Sequence, residues 1–241
     1  MLILLTATIN VENDVPFVKI RNKEERLREY LESVSFYLEA RNIDKVVVCE
    51  NSLYKGTEFA VFYELAKSKG KEFEYLTFKS DSQNVICHGK GYGEGEIIKY
   101  ALKNSILLKE EDFFVKITGR VKIDNISVIA KKINKKKIYM MQLNKEVPEV
   151  FSVIFAIDKK VYADKFLDEY TRVQDREKYY LEHVFYDTLK KNNLQSYCFA
   201  RFPQVNGISG SSGKAYIRDE KKFDRIKHDT FCCLFNKYGV K

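Results

Sequence analysis

The sequence predicts an α/β protein: a mostly parallel central sheet flanked by helices, with a strongly modified C-terminal third. Three observations predict it. Continuous apolar and β-branched runs alternate with helically spaced segments through the first half, in the order β-α-β-α-β-α-β, and that alternation argues for parallel strands with helices on both faces. The length, 241 residues, is within reach of a single α/β domain. No internal repeat, low-complexity tract or linker divides the chain.

Leu2 to Ile9 is a continuous apolar and β-branched run, as expected of a central strand covered on both faces. Lys23 to Arg41 has helical spacing, with Leu27, Tyr30, Leu31, Val34 and Leu38 on one side and charges opposite. Lys45 to Cys49 (KVVVC) reads as the second strand, ending at Glu50-Asn51-Ser52. Thr57 to Ser68 reads as a helix and Phe73 to Phe78 as the third strand. Gly89 to Gly95, GKGYGEG, reads as a glycine-dense loop that opens a helix from Glu96 to about Leu107. Phe113 to Ile117 is the fourth strand and stops at Thr118-Gly119-Arg120. Beyond it, Ile138 to Leu143 and Phe151 to Ile157 are strand-like and able to pair antiparallel across Pro148. Ala163 to Tyr170 and Tyr179 to Lys191 are helical, Ser196 to Arg201 is a candidate last strand, and Phe223 to Phe235 a final helix. Ligands of parallel α/β sheets bind beyond the carboxyl ends of the strands. Ile9-Asn10, Glu50-Asn51-Ser52, the segment from Ser80 and Thr118-Gly119-Arg120 are therefore expected to converge on one crevice.

With 45% hydrophobic and 32% charged residues the chain is not wholly disordered, and three Pro with 11 Gly exclude collagen-like and Pro-rich linker classes. A formal charge of +8 points to anionic partners: phosphates, nucleic acid or an acidic membrane surface. Five cysteines, without a C-x-x-C pair and with Cys232 beside Cys233, read as reduced thiols of a cytosolic protein. The apolar N-terminus, Met1 to Leu5, is too short for a signal-peptide core, and no stretch approaches the ~18 apolar residues of a spanning helix.

The common chemical motifs are absent. In NGISGSSGK five residues separate Gly207 from Gly213, and Ala215 follows Lys214, so the Walker spacing fails. What survives is a loop of small residues whose N–H groups, with Lys214, can approach a phosphate, or a plain surface loop. GKGYGEG is no dinucleotide fingerprint, because Glu96 stands where the third glycine belongs. It either holds an anion at a helix N-terminus with Lys90, or is a sharp turn. The three histidines are scattered, no D-x-D pair occurs, and there is no G-x-S-x-G elbow. Neither a metal site nor a nucleophilic triad is expected, and the basic charge comes without a recognised nucleic-acid module.

The most specific stretch is His88 to Arg120, HGKGYGEGEIIKYALKNSILLKEEDFFVKITGR. Its K-G-x-G-E segment, helix and strand ending K-I-T-G-R resemble a group of bacterial glycosyltransferases with a GT-A-like (Rossmann-like) fold, which act in capsule, O-antigen and lipopolysaccharide assembly. Arg21 with Tyr30 and Ser33 resembles the early helix of that group, and Val47-Val48-Cys49-Glu50-Asn51-Ser52 its second strand. Pro203 to Tyr216, PQVNGISGSSGKAY, is similar to its closing loop.

The resemblance implies one domain, with a nucleotide-sugar-binding half over 1–125 and an acceptor-binding half over 126–241. Donor contacts are implied at Thr6, Ala7, Thr8, Arg21, Glu50, Asn51, Lys90, Gly91, Gly93, Glu94, Lys116, Thr118, Gly119, Ser209, Ser211 and Lys214, with Asn206 to Lys214 as a lid. The chain departs from the group where a strand usually ends in D-x-D: Thr118-Gly119-Arg120 stands there. Arg120, helped by Lys116, Lys90 or Lys214, is expected to replace the metal in stabilising the leaving diphosphate, so no metal and no cofactor is expected. Alternatively, Arg120 binds the acceptor or pairs with a structural carboxylate. An inverting transfer needs a base for the acceptor hydroxyl. Glu182, Asp175 and Asp187 are the candidates; Glu182 is preferred, with His183 beside it to orient it or act in its place, against a reading of Glu182 as an exposed helical charge. Expected partners are a nucleotide-sugar donor, a UDP-sugar first, and a lipid-linked or oligosaccharide acceptor, without nucleic acid. The expected location is the cytoplasm, at the inner face of the membrane, which the basic amphipathic C-terminal helix would touch unless it packs on its own core. The alternative function is a non-catalytic phosphate- or nucleic-acid-binding module.

Overall fold

The computed structural model describes residues 1–216 and 239–240. In chain order the elements are β1 (Leu2–Ala7), α1 (Lys23–Glu39), β2 (Lys45–Glu50), α2 (Val61–Ser68), β3 (Glu72–Thr77), α3 (Ser82–His88), α4 (Lys90–Asn104), α5 (Ile106–Lys109), β4 (Phe113–Thr118), β5 (Lys122–Ile123), α6 (Ile126–Lys132), β6 (Ile154–Asp158), α7 (Lys159–Lys165), α8 (Leu181–Lys191) and β7 (Val205–Asn206). Five strands form one sheet in the order β3-β2-β1-β4-β6. The first four run parallel, and β6 closes the edge antiparallel to β4, Phe114 opposite Ile157. The order 3-2-1-4 is the first part of the strand order of a Rossmann-like sheet, 3-2-1-4-5-6. β5 and β7 form a separate antiparallel pair.

The continuous apolar strands are explained by cover on both faces. Ile3, Leu5 and Ala7 pack with Tyr30, Val34 and Tyr37 of α1, Phe62 of α2 and Ile126 of α6. Leu2 and Leu4 face the opposite way, with Ile97 and Ile98 of α4, Tyr162 of α7 and Val184 and Phe185 of α8. Local chemistry sets the helix starts. The Asn22 side chain accepts from the Glu25 N–H at 2.7 Å, and Asp158 accepts from Val161 at 2.9 Å, each satisfying a donor that the first turn leaves without a partner.

The structure corrects several expected elements. The glycine-dense segment is not a loop: α4 begins at Lys90, so Gly91, Gly93 and Gly95 lie inside a helix. They admit close neighbours instead of a turn. A Cβ on Gly95 would sit 2.1 Å from Cβ of Tyr170, and one on Gly91 3.1 Å from Leu181. Among the described residues Ile138 to Leu143 makes isolated bridges, Ile138 to Ser196, Tyr139 to Ala156 and Met141 to Gly239, and forms no strand, nor does Ser196 to Arg201. The helix after β6 is α7, over Lys159–Lys165, ahead of the expected Ala163 to Tyr170, because Asp158 caps it, and α6, Ile126–Lys132, is not among the expected helices. α3 replaces the loop expected after Ser80. The helix expected over Phe223 to Phe235 lies outside the described residues. Among the described residues no helix is long and apolar enough to cross a membrane.

Candidate functional site

The carboxyl ends of β1, β2 and β4 are pinned side by side. The Asn51 N–H donates to the Ala7 carbonyl at 3.1 Å, and the Gly119 N–H to the Thr6 carbonyl at 3.0 Å. Gly119 is required there, because a Cβ would stand 2.7 Å from that carbonyl oxygen. Beyond these ends lies a cavity of about 200 Å³, with Thr6, Thr8, Asn51 and Thr118 among its lining residues. A second cavity, of about 370 Å³, adjoins it. Lys90, Ser152, Val153, Glu182, Ser211 and Tyr216 belong to the walls of both.

A buried ionic chain runs along the first cavity. The fully buried ammonium of Lys116 contacts the carboxylate of Glu94, whose Oε1 also accepts from the Thr6 hydroxyl at 3.1 Å. Burial by itself pushes the Glu94 carboxyl up, but Lys116, Lys90 and Thr6 together outweigh it and hold Glu94 below the usual carboxylate range. Lys116 also donates to the Ser152 carbonyl at 2.8 Å, and the Ser152 hydroxyl donates to Oε1 of Glu182 at 2.6 Å. Glu182 is thus held from the first turn of α8 by a residue that itself rests on the buried pair.

Two guanidinium groups line the same cavity. Arg120 is paired with Glu29 of α1 and lies against Gly210 of the closing loop. Arg26, 6% exposed, donates to the carbonyls of Thr8 (2.7 Å) and Ile20 (3.0 Å) and to the Tyr30 hydroxyl (3.2 Å). None of these hydrogen-bond partners carries a formal charge, and the carboxylate that acts on Arg26 is Glu29, which Arg120 already engages. Burial pulls its pKa down. Lys90 donates to the Ser211 hydroxyl, and the Lys19 N–H donates to the Gly210 carbonyl at 2.9 Å. The closing loop, 206–216, is therefore tied both to α4 and to the segment between β1 and α1. It is a hydrogen-bonded hairpin turn, with Ser209 N–H donating to the Lys214 carbonyl and Gly213 N–H to that of Ser209, both at 2.9 Å.

Of the residues expected to contact a donor, Thr6, Thr8, Asn51, Lys90, Gly93, Glu94, Thr118, Arg120, Ser211 and the expected base Glu182 line the first cavity. Lys116 and Gly119 stand behind that wall. The others lie elsewhere. Ala7 is a core residue. Glu50 is fully buried, and its carboxylate accepts from the backbone of Ile9, Ser52 and Tyr54 and from the hydroxyls of Ser52 and Thr77. It organises the loop after β2. Arg21 donates to the carbonyls of Glu12 and Val15, holding the segment that walls the cavity. Gly91 packs against Leu181 and Val173. Ser209 and Lys214 form the loop turn, with Lys214 exposed. His183 Nδ1 accepts from the Tyr180 N–H at 3.2 Å, which occupies that nitrogen in capping α8.

The other base candidates are also placed. Asp187 accepts from the Tyr179 hydroxyl at 2.6 Å on the surface. Asp175 is 1% exposed; Oδ2 accepts weakly from the Gly91 N–H at 3.4 Å, and Oδ1 has no partner. Burial, with Glu182 adding to it against Lys90 and Gly91, pushes Asp175 up to about 6. Arg26 and Ser152 were not foreseen. Arg26 had a visible signal, a cation four residues before Tyr30 on the apolar side of α1. Ser152 had none. Among the described residues no group of three His, Cys, Asp or Glu side chains is placed to hold a metal ion.

No family model matches the chain, and no curated protein matches it. Solved structures do. The apo form of the glycosyltransferase GlyE of Streptococcus pneumoniae is 7% identical with a TM-score of 0.48, over 79% of this chain and 43% of that one. The nucleoside-diphosphate-sugar pyrophosphorylase of Vibrio cholerae is 12% identical with a TM-score of 0.42, over 80% and 88%. Mouse xyloside xylosyltransferase 1 is 8% identical with a TM-score of 0.37, over 78% and 80%. Identities this low describe chain path, not chemistry.

Proposed function

We propose that this chain is a glycosyltransferase that moves a sugar from a nucleotide-sugar donor, a UDP-sugar first, to a glycolipid or oligosaccharide acceptor in cell-surface polysaccharide synthesis. One observation carries the reading: two cavities meet at a shared wall that holds a carboxylate, Glu182. A transferase needs a site for each substrate and a base between them. The donor occupies the cavity at the strand ends, and the acceptor the adjoining one. The K-I-T-G-R block and the closing loop support the same reading.

In the step, Glu182 takes the proton of the acceptor hydroxyl while that oxygen bonds to the anomeric carbon. The bond from the anomeric carbon to the diphosphate oxygen breaks, and its electron pair leaves with the nucleoside diphosphate. Lys90 and Arg26 stabilise that developing charge, with Arg120 adding the guanidinium nitrogen that its pair with Glu29 leaves, in the role a divalent cation has in D-x-D enzymes. Lys116 acts through Glu94 and Ser152, since its ammonium is already paired. The closing loop excludes water, whose attack on the donor is the competing reaction. Contact with the inner face of a membrane, through the segment beyond Tyr216, belongs to the same proposal.

The test is thermal stabilisation by UDP, GDP and CMP beside a short oligonucleotide. A transferase is stabilised by one nucleotide in proportion to RT ln(1 + [L]/Kd). Stabilisation by the oligonucleotide alone would favour the binding-module alternative instead.

A further inference from the structure

The second cavity has a mixed lining. Apolar and aromatic side chains, Phe17, Phe151, Tyr180 and Leu143, line it together with the polar groups of Glu149, Glu182, Lys90 and three serines. Phe17 and Leu143 are 45% and 43% exposed, so apolar side chains are left facing solvent at the edge of a cavity. Phe17 also has a left-handed backbone, φ 56°, a conformation that a bulky residue rarely holds without a purpose. Its ring stands edge-to-face with that of Tyr180, centroids 6.2 Å apart and planes at 89°. The pair forms an aromatic corner on the cavity wall, with Phe17 partly open to solvent.

We infer that this cavity seats a neutral pyranose, the acceptor sugar, with one C–H face of its ring against Phe17 and Tyr180 and its hydroxyl edge towards Glu182 and Glu149. A pyranose has both characters the walls demand: axial C–H groups that meet the negative face of an aromatic ring, and hydroxyls that donate to carboxylates. Two carboxylates against one Lys90 disfavour an anionic headgroup in the same space. An acyl chain would cover Glu149 and Glu182 while offering neither of them a donor. The naming of the bound sugar as acceptor rests on the glycosyl-transfer reading above; the seat itself does not.

The experiment is saturation-transfer-difference NMR on the full chain with methyl pyranosides of glucose, galactose and mannose, and separately with octyl phosphate. At least one methyl pyranoside receives saturation at its ring C–H protons. Phe17→Ala weakens that binding by about fivefold or more, the size of one aromatic contact, and Phe17→Trp keeps it. Stabilisation by UDP, GDP or CMP is unchanged in both variants. The inference is overturned by no pyranoside binding, by equal binding in Phe17→Ala, by loss in Phe17→Trp, by preference for octyl phosphate, or by loss of the nucleotide response on changing Phe17. A nucleotide response without pyranoside binding removes the seat and leaves the transferase reading; pyranoside binding without any nucleotide response does the reverse.

Discussion

Replacing Asp175 by Asn separates a buried charge from the shape that holds it. Asp175 is 1% exposed, has one oxygen without a partner, and sits at the N-terminal end of α4, where its carboxyl is pushed up to about 6 by burial. A carboxyl whose folded pKa exceeds its unfolded value binds its proton more tightly in the fold. Its favourable share of stability is complete below the unfolded value, near about pH 4. That share is lost as pH rises through the folded value, and the loss is complete somewhat above pH 6. At about 1.4 kcal/mol per pH unit, the rise above the ordinary aspartate value corresponds to about 2–3 kcal/mol. Asn is neutral at every pH, keeps an oxygen for the Gly91 N–H, and mimics the protonated acid. Urea unfolding of both proteins between about pH 4 and pH 8 should give equal stabilities at the acid end, and a variant more stable by about 2 kcal/mol at the alkaline end. A difference that does not change with pH, or a variant less stable at alkaline pH, would refute the account of Asp175.

Four further outcomes follow from the same geometry. Glu182→Gln should lower turnover by about 10²–10⁴-fold with nucleotide affinity retained; a loss under about tenfold would remove Glu182 as base. Lys116→Met should cost about 1–3 kcal/mol by taking the ion-pair partner from Glu94, whose side chain is part-buried and keeps only Lys90 and Thr6, and adding Glu94→Gln should recover most of it in a double-mutant cycle. Because Glu94 is held below the usual carboxylate range, its share of stability is present above the unfolded value and lost as pH falls through the folded one. Gly95→Ala should destabilise by about 1–3 kcal/mol in thermal unfolding, since the added carbon meets Tyr170 at 2.1 Å. Transfer activity should persist in excess chelator, and complete loss restored by Mg²⁺ or Mn²⁺ would contradict charge stabilisation by Lys90, Arg120 and Arg26.

The sheet was legible because strands covered on both faces are rich in apolar residues, and Leu2 to Leu5, Val46 to Cys49 and Phe113 to Val115 are runs of such residues. Convergence of their ends followed from parallel topology, so Asn51 and Thr118 could be foreseen on one cavity, whereas Thr6 and Thr8 were implied only by the resemblance. The start of α4 could not. A glycine run reads as a turn unless the neighbours that crowd it are known, and Tyr170, Leu181 and Asn51 come from distant segments. Glu50 shows the opposite failure: a carboxylate at a strand end resembles a ligand contact, but five protein donors already saturate it. Ser152 has no local signal, since its link from Lys116 to Glu182 exists only when β6, β4 and α8 are packed together.

Sugar transfer is tested most directly by mass analysis of the product. The full chain is incubated with a panel of sugar nucleotides, together with a lipid-linked and a free oligosaccharide acceptor. The account predicts one donor whose sugar mass appears on an acceptor, with release of one nucleoside diphosphate per sugar moved, and with formation abolished in Glu182→Gln. An acceptor left unchanged by every donor, while the nucleotides themselves bind, would contradict it.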